Sequence, residues 1–296
     1  MTSAEMTAKI AAGKGFIAAL DQSGGSTPKA LAGYGIEAGS WSSDEEMYGL
    51  IHEMRSRIIR SAMFNGDKVL GAILFERTMD GSVDGTPVPA ALTAKGIVPF
   101  IKIDKGLENE AGGVQLMKPM PDLDALLVRS KALGVYGTKE RSVINSADAA
   151  GIAAIVAQQF QVGHQVLAHG MMPMLEPEIN IKSATRADCD TILLAELLEA
   201  LDGMDQQVML KLSLPVVPGT FDALTSHPKV LRVVALSGGY ERPEACAELA
   251  KNKGIIASFS RALLQDLRFA MSDAEFDAAL GSAIDEIYTG STVKTA

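Results

Sequence analysis

The sequence predicts an α/β protein of the (β/α)₈ type, the closed parallel barrel known as a TIM barrel. Short apolar, β-branched runs alternate with longer amphipathic stretches along the 296 residues, which is the pattern of βα units and a parallel sheet. Eight such runs can be counted, as a closed barrel requires. No Pro/Gly/Ser-rich linker is long enough to separate domains, so we expect residues 1–296 to form a single barrel domain.

The predicted strands are short, and several are nearly all apolar, as expected of strands that are buried on both faces. They are Gly15–Asp21, Val69–Phe75, Val98–Asp104, Val135–Lys139, Met172–Glu178, Val208–Ser213, Val230–Ser237 and Ile255–Ser260. A doubly wound open sheet with an extra subdomain is the alternative architecture. No GxGxxG fingerprint follows the first strand, which weakens that alternative.

The stretches between the strands have helical character. The clearest predicted helices are Asp44–Phe64, Asp148–Leu167, Arg186–Leu201, Pro243–Asn252 and a closing helix, Asp273–Tyr288. Asp44 and Asp188 are predicted N-caps. Ser272 and Glu275 form the cap signal at the start of the closing helix.

Composition excludes several classes of partner. The net charge of −9 at pH 7 argues against nucleic acid, because binding to a phosphate backbone requires a basic surface. No run approaches the ~20 apolar residues of a membrane span, and the N-terminal MTSAEMTAKI lacks the apolar core of a signal peptide. Cys189 and Cys246 lie far apart without metal-ligand spacing, which fits a reducing compartment. We therefore expect a cytoplasmic protein that binds neither nucleic acid nor membranes.

Polar residues are concentrated near the C-terminal ends of the predicted strands, where barrel enzymes place their reactive groups. They are Asp21, Lys102, Asp104, Lys105, Lys139, Arg141, Glu176, Glu178, Lys211, Ser237, Gly238, Gly239 and Arg261. An unpaired buried charge costs several kcal/mol. The charged side chains among these residues therefore need each other or a charged ligand.

Lys211 is the most informative of these residues because it lies within the apolar run VMLKLSL. Burial favours the neutral form of an amine, which is the nucleophile that attacks a carbonyl group. Glu176 and Glu178 are two apart on a strand and therefore share a face. One carboxylate can act as an acid or base while the other pairs with a lysine. A structural network of ion pairs at the end of the barrel is the alternative interpretation.

Two Gly-Ser segments follow predicted strands, at residues 21–26 and 237–239. Glycines there permit backbone conformations that present N–H groups and hydroxyls to an anion. An ordinary turn is the alternative for either segment alone. With Lys102, Arg141 and Arg261 nearby in the predicted barrel, the two segments suggest two phosphate sites.

Metal chemistry has little support in the sequence. The four histidines are His52, His164, His169 and His227. His164 and His169 are five residues apart, and no HExxH motif or histidine cluster occurs. We therefore predict that no metal is bound.

Eight segments, in order, resemble the class I fructose-bisphosphate aldolases, particularly their shorter bacterial branch. They are GKGFIAALDQSGGSTPKAL, GAILFERTMD, PFIKIDKG, TKERSVI, MLEPEI, VMLKLSL, ALSGG and SFSRAL, and they span Gly13 to about Leu264. The resemblance implies reversible cleavage of fructose 1,6-bisphosphate to dihydroxyacetone phosphate and glyceraldehyde 3-phosphate through a lysine Schiff base, without metal or cofactor. It leaves the oligomeric state open, because the animal relatives are tetramers and no interface is readable here.

The resemblance also implies roles for individual residues. Lys211 would be the Schiff-base lysine, and Glu176 would assist dehydration of the carbinolamine and the proton transfers. Asp21 would take part in cleavage of the C3–C4 bond, with Glu176 as the alternative base, and Lys139 would assist. The implied phosphate contacts are Arg141, Ser237, Gly238, Arg261, Lys102, Ser23 and Ser26.

The chain departs from the family pattern in three places. After Lys211 it reads LSLPVVPG, where the animal enzymes have a tighter Pro-Asn run. Ala30 stands where a second basic residue is expected beside Lys29, which puts one phosphate contact in doubt. Tyr288 is the candidate for the catalytic tyrosine that the animal enzymes carry in a C-terminal tail, and packing in the closing helix is the alternative.

Three other functions remain open at this point. The nearest is a Schiff-base aldolase for a related ketose phosphate, such as tagatose bisphosphate or sedoheptulose bisphosphate. A metal-dependent aldolase is the second, and the few histidines speak against it. A non-catalytic barrel that binds phosphorylated sugars or a protein partner is the third.

Overall fold

A computed structural model describes residues 1–295, and a barrel of parallel strands forms its centre. The strands are β1 (Phe16–Leu20), β2 (Val69–Leu74), β3 (Val98–Lys102), β4 (Gly137–Ile144), β5 (Met174–Ile179), β6 (Val208–Ser213), β7 (Val230–Leu236) and β8 (Ile255–Ala257). Each strand pairs in parallel with the next. The N–H of Ala19 donates to the carbonyl of Phe259, just beyond β8, at 3.1 Å. This bond joins the two edges of the sheet, and the predicted (β/α)₈ barrel is confirmed.

Helices surround the barrel and alternate with its strands. In the part of the chain that the structure describes, they are α1 (Ser3–Ala12), α2 (Ser26–Tyr34), α3 (Asp44–Arg60), α4 (Glu76–Met79), α5 (Val88–Ala94), α6 (Leu123–Ala132), α7 (Ala149–Ala168), α8 (Arg186–Asp202), α9 (Asp222–Thr225), α10 (Arg242–Ala250), α11 (Arg261–Leu264) and α12 (Asp273–Thr292). A two-residue hairpin joins Ser82–Val83 to Thr86–Pro87, and Val114–Gln115 pairs antiparallel with the end of β4. None of the helices within residues 1–295 is both long and apolar enough to cross a membrane.

The barrel interior is filled from its N-terminal end. Met6 and Ile10 of α1 pack against inward-facing strand residues such as Ile17 and Phe100. Arg232 of β7 donates to the carbonyl of Ala11 at 2.7 Å and so ties α1 to the barrel. A larger apolar cluster lies between the strands and the surrounding helices. The polar end of the barrel is therefore the end at which the strands terminate.

The fourth strand was predicted too early and too short. The sequence places it at Val135–Lys139, whereas β4 spans Gly137–Ile144. The charged run that begins at Lys139 resembles a loop when read without its partners. In the structure these charges are accommodated because Lys139 pairs with Asp21 inside the barrel and Arg141 pairs with Glu178 at its rim.

Two predicted helix caps are wrong. The N-cap of α3 is Ser43, whose side chain accepts from the N–H of Glu46 at 3.2 Å, and Asp44 is the first helical residue. The N-cap of α8 is Thr185, and Asp188 lies in the first helical turn. Both aspartates lie in the first helical turn, where the helix dipole favours a negative charge. They therefore mark the helix starts, but from inside the helix rather than from the cap.

The capping box that begins α12 is confirmed, and it gives a test of the fold. Ser272 Oγ accepts from the N–H of Glu275 at 3.4 Å, and Glu275 Oε2 accepts from the N–H of Ser272 at 2.8 Å. We expect Ser272→Ala to lower the free energy of unfolding by about 1 kcal/mol, because one N–H at the helix start loses its acceptor. Equilibrium urea unfolding measures this change. Ser272→Asp is the control and should stay close to the parent, and an unchanged stability of the alanine variant would contradict the assignment.

Candidate active site

The alternation of strand residues determines which side chains reach the polar end of the barrel. Residues two apart share a face, and the buried Met174 and Met209 belong to the apolar cluster inside the barrel. Glu176 and Lys211 each follow two positions later on the same faces of β5 and β6. Asp21 lies in the same way two residues after Ala19, at the end of β1. The apolar residues that fill the barrel form its apolar floor. On β1, β5 and β6 a charged residue follows this floor two positions later.

Four of these charged side chains form a continuous chain of ion pairs, the ionic chain. Lys211 Nζ lies 3.1 Å from Glu176 Oε1. Glu176 Oε2 lies 2.5 Å from Lys139 Nζ, and Lys139 Nζ lies 2.9 Å from Asp21 Oδ2. No side chain in the ionic chain is more than 9% exposed. The two lysines and two carboxylates balance in charge, and their ion pairs offset the cost of burying all four side chains.

Lys139 and Asp21 are both held in their charged forms. Burial alone would raise the pKa of Asp21, but the ammonium groups of Lys139 and Lys211 hold it well below the ordinary value. Burial alone would lower the pKa of Lys139, but Asp21 and Glu176 hold it well above the ordinary value. Lys139 is therefore an ammonium group at neutral pH, and a protonated amine is not a nucleophile. Within residues 1–295, Lys211 forms an ion pair with one carboxylate, that of Glu176, whereas Lys139 is paired with two.

Glu176 is supported by a residue that the sequence reasoning missed. The N–H of Glu176 donates to Gln159 Oε1 of α7 at 3.2 Å, and Gln159 Nε2 donates to Ser142 Oγ of β4 at 2.7 Å. Gln159 is fully buried. It joins β4 and β5 from the helix side, and so fixes the strands that carry Lys139 and Glu176. An amide in the apolar run of α7 was the available signal.

Two of the remaining predicted cations, Lys102 and Arg141, lie at the rim and are already paired. Lys102 Nζ lies 2.7 Å from Asp104 Oδ1. Arg141 pairs with Glu178 Oε2, and Glu178 therefore binds a rim arginine rather than a lysine of the ionic chain. A bound phosphate would have to compete with these carboxylates or share the cations with them.

The two Gly-Ser segments lie at strand ends, as predicted. Ser26 Oγ accepts from the N–H of Ser23 at 2.9 Å and donates to the carbonyl of Ser23 at 2.8 Å, so this segment closes on itself. Gly238 has φ +62°, and a Cβ on Gly239 would lie 3.2 Å from Nη2 of Arg261. Glycine at position 239 therefore leaves room for the guanidinium group.

Contacts with the ionic chain divide the predicted site residues into two groups. Asp21, Lys139, Glu176 and Lys211 touch one another directly. Within residues 1–295, the ionic chain makes no hydrogen bond or ion pair with the predicted phosphate contacts, which are Ser23, Ser26, Lys102, Arg141, Ser237, Gly238 and Arg261. Those residues surround it at the ends of β1, β3, β4, β7 and β8.

Tyr288 does not reach this end of the barrel. Its ring lies 5.7 Å from Nζ of Lys68, which immediately precedes β2 and so lies at the N-terminal end. The ring packs against the outer apolar cluster. The idea that Tyr288 replaces a catalytic tail residue is therefore wrong, because the closing helix directs it away from the ionic chain.

The histidines are engaged elsewhere. His52 Nε2 lies 3.1 Å from the carbonyl of Ser82, and His169 Nε2 lies 2.7 Å from Asp124. Across residues 1–295, no group of three or more His, Cys, Asp or Glu side chains is placed to hold a metal ion.

A barrel with buried lysines and carboxylates at the C-terminal ends of its strands has the architecture of a lysine-dependent barrel enzyme. The sequence model of the class-I fructose-bisphosphate aldolases matches residues 3–214. The chain therefore belongs to the class-I fructose-bisphosphate aldolase family, whose members are lyases. The matched range contains the whole ionic chain and ends before Ser237 and Arg261.

Solved structures agree on the fold. Fructose-bisphosphate aldolase from Plasmodium falciparum is 20% identical, with a TM-score of 0.76 over 99% of this chain and 96% of that one. An archaeal fructose 1,6-bisphosphate aldolase is 14% identical, with a TM-score of 0.58 over 97% and 99%. A further archaeal aldolase structure, with its catalytic lysine covalently bound to a carbinolamine intermediate, is 14% identical, with a TM-score of 0.56 over 97% and 100%.

The ionic chain predicts a distinctive pH dependence of stability. Lys139→Met leaves Asp21 and Glu176 buried without their shared cation, which costs about 3–5 kcal/mol of unfolding free energy at neutral pH. Since Lys139 is the main group that holds the pKa of Asp21 low, we expect burial in the variant to raise this pKa, against the smaller opposing effect of Lys211, above its unfolded value near 3.9. A raised pKa contributes stability below the unfolded value, and that stability is lost as pH rises through the folded one.

Urea unfolding between about pH 4 and pH 8 measures the difference in stability between Lys139→Met and the parent. We expect that difference to shrink toward the acidic end. In the parent the pKa of Asp21 is lowered, so its contribution is instead present at neutral pH and lost below the ordinary carboxylate range. A difference that stays constant with pH would contradict the role of Lys139 as the shared cation.

Proposed function

We propose that this protein is a class I aldolase that cleaves fructose 1,6-bisphosphate reversibly through a Schiff base on Lys211. The observation that carries the proposal is the difference between the two buried lysines. Lys139 lies between two carboxylates and is held as an ammonium group. Within residues 1–295, Lys211 forms an ion pair with Glu176 alone, 3.1 Å away, which is close enough to accept its proton.

The first half of the mechanism builds the electron sink. Neutral Lys211 attacks the C2 carbonyl carbon of the open-chain sugar, and a carbinolamine forms. Glu176, protonated at Oε1, donates that proton to the carbinolamine hydroxyl, which leaves as water. The product is an iminium ion on Lys211, and the covalent bond divides one difficult step into easier ones.

The second half breaks the carbon–carbon bond. A carboxylate accepts the proton of the C4 hydroxyl, the electrons of the C3–C4 bond move into the iminium, and glyceraldehyde 3-phosphate leaves. The carboxyl group returns that proton to C3 of the remaining enamine, and water then adds to the iminium and releases dihydroxyacetone phosphate from Lys211. Asp21 is our choice for the base because it is ionised, although its lowered pKa makes it a weak one, and Glu176 is the alternative.

In the proposed reaction, Lys139 acts as a fixed positive charge. It touches Asp21 and Glu176, and so stabilises whichever carboxylate is ionised at each step. Asp21 and Glu176 raise its pKa, so Lys139 is an ammonium group when the reaction begins. Preorganised charge of this kind is a large contributor to catalysis because it needs no rearrangement during the reaction.

The proposed substrate carries a phosphate at each end because cations and Gly-Ser segments surround the ionic chain on several sides. Arg261 is the strongest single phosphate contact. It is exposed, and no hydrogen bond or ion pair engages its guanidinium group within residues 1–295, whereas Lys102 and Arg141 are paired with carboxylates. Tagatose bisphosphate and sedoheptulose bisphosphate are the alternative substrates, and turnover on each ketose phosphate separates them.

Borohydride trapping tests the Schiff base. The protein is incubated with dihydroxyacetone phosphate and EDTA, reduced, digested and mapped by mass spectrometry. We expect modification at Lys211 in the parent, and neither modification nor cleavage activity in Lys211→Met. Lys14→Met is the matched control, since Lys14 precedes β1 at the opposite end of the barrel.

Each other outcome has a definite meaning. Near-normal turnover by folded Lys211→Met would overturn the Schiff-base assignment. Modification of Lys139 instead would keep the reaction class and move the nucleophile. Tight binding of fructose 1,6-bisphosphate without turnover by the parent would favour a non-catalytic barrel, and loss of cleavage in EDTA without any adduct would favour a metal-dependent enzyme.

Arg261→Ala tests the phosphate contact. We expect KM for fructose 1,6-bisphosphate to rise about tenfold or more, because hydrogen bonds to charged groups contribute roughly 1.5–3 kcal/mol. Steady-state kinetics measures this effect. Arg268→Ala is the control, since within residues 1–295 Arg268 donates to nothing beyond the nearby carbonyls of Gln265 and Leu267, and an equal rise in both variants would remove the specific role of Arg261.

A further inference from the structure

The seam between β1 and β8 is closed at the polar end by one side chain. Gln22 directly follows Asp21, and its Nε2 donates to Ser260 Oγ at 2.5 Å. Ser260 directly precedes Arg261. Gln22 therefore connects the two strand ends from which the two proposed phosphate sites extend, namely the segment that contains Ser23 and the turn that carries Arg261.

Gln22 is itself held by a buried cation. Arg55 of α3 donates through Nη2 to the carbonyl of Gln22 at 2.5 Å and to its Oε1 at 3.2 Å. Its Nη1 donates to Thr78 Oγ1 at 2.7 Å. With both oxygens bound to one guanidinium nitrogen, the Gln22 amide has one orientation, in which Nε2 faces Ser260.

Burial of the Arg55 charge has a free-energy cost that its own hydrogen bonds do not offset. It is fully buried, and within residues 1–295 its hydrogen bonds go only to uncharged oxygens. Burial of a charge without an ion-pair partner is strongly unfavourable. Burial lowers the pKa of Arg55 to about 10, and Asp21 opposes that change from a distance. Arg55 therefore remains charged at neutral pH and is committed to the corner formed by Asp21 and Gln22.

We propose that Gln22, oriented by Arg55, is a positioning residue that sets the distance between the two phosphate sites through its bond to Ser260. This inference rests on the proposed function, because it assumes a substrate with two phosphates. A bisphosphate must reach both sites at once and so depends on their spacing. A monophosphate occupies one site and does not depend on it. Gln22 is thus a determinant of the preference for doubly phosphorylated sugars.

The test compares fructose 1,6-bisphosphate with fructose 1-phosphate as the ratio of their kcat/KM values. We expect Gln22→Leu and Ser260→Ala each to lower this ratio about tenfold, mainly through KM for the bisphosphate, with kcat little changed. The double variant should be no worse than Gln22→Leu alone, because both changes remove the same bond. Gln22→Glu should restore the ratio, since a carboxylate can accept from both Arg55 and the Ser260 hydroxyl.

Gln207→Leu is the matched control. Gln207 also bridges two segments, donating to the carbonyl of Pro228 at 3.0 Å, but it lies before β6 at the far end of the barrel. Its loss should leave the ratio at the parental value. Thermal unfolding of every variant separates loss of stability from loss of spacing, since a merely structural role would lower Tm without moving the ratio.

Borohydride trapping of the parent at Lys211 shows whether a negative result contradicts only the spacing role of Gln22 or the proposed function as well. If the parent traps substrate and the ratio is unchanged in Gln22→Leu and Ser260→Ala, the spacing role is wrong and the proposed function stands. Additive effects in the double variant would also overturn it. If the parent neither traps nor cleaves a ketose phosphate, the proposed function fails and this inference fails with it.

Discussion

The contact of Glu176 with two lysines at once is the interaction on which the rest of the site depends. Oε1 of Glu176 lies 3.1 Å from Nζ of Lys211, and Oε2 lies 2.5 Å from Nζ of Lys139. Without Glu176, one lysine would retain Asp21 as its partner and the other would be buried without any. An uncompensated buried charge costs several kcal/mol, so the stability of the barrel end and the proposed reactivity of Lys211 depend on the same carboxylate.

Strand geometry explains how such a cluster can be built from distant parts of the chain. Inward positions recur every second residue, and all eight strands end at the same edge of the barrel. Asp21, Lys139, Glu176 and Lys211 come from four strands, yet each is simply the next inward position above the apolar floor. Support comes from outside the barrel, where Gln159 joins β4 to β5. The ionic chain is thus fixed both by its own pairs and by a buried amide behind them.

The sequence contains the strands and the ionic chain in readable form because both depend on local pattern. A lysine within VMLKLSL is conspicuous, and so are two glutamates spaced for one face. The C-terminal half of β4 was missed because its inward charges and the fully buried Glu140 on its other face look like a loop until their surroundings are known. Gln159 and Arg55 were missed because their partners lie on other elements, and no spacing along the chain encodes those contacts.

The asymmetry between the two lysines follows from the number of carboxylates that each one touches. Lys139 has two and is stabilised as a cation, whereas Lys211 has one, which can also take its proton. If Lys211 transfers its proton to Oε1 of Glu176, the contact between Glu176 Oε2 and Lys139 need not break, and the total charge of the ionic chain does not change. In the proposed mechanism, activation of Lys211 then leaves no unpaired charge among the buried side chains of the ionic chain. In the proposed mechanism, a cation that keeps its proton lies beside one that gives its proton up, and this arrangement allows one buried layer to be both stable and reactive.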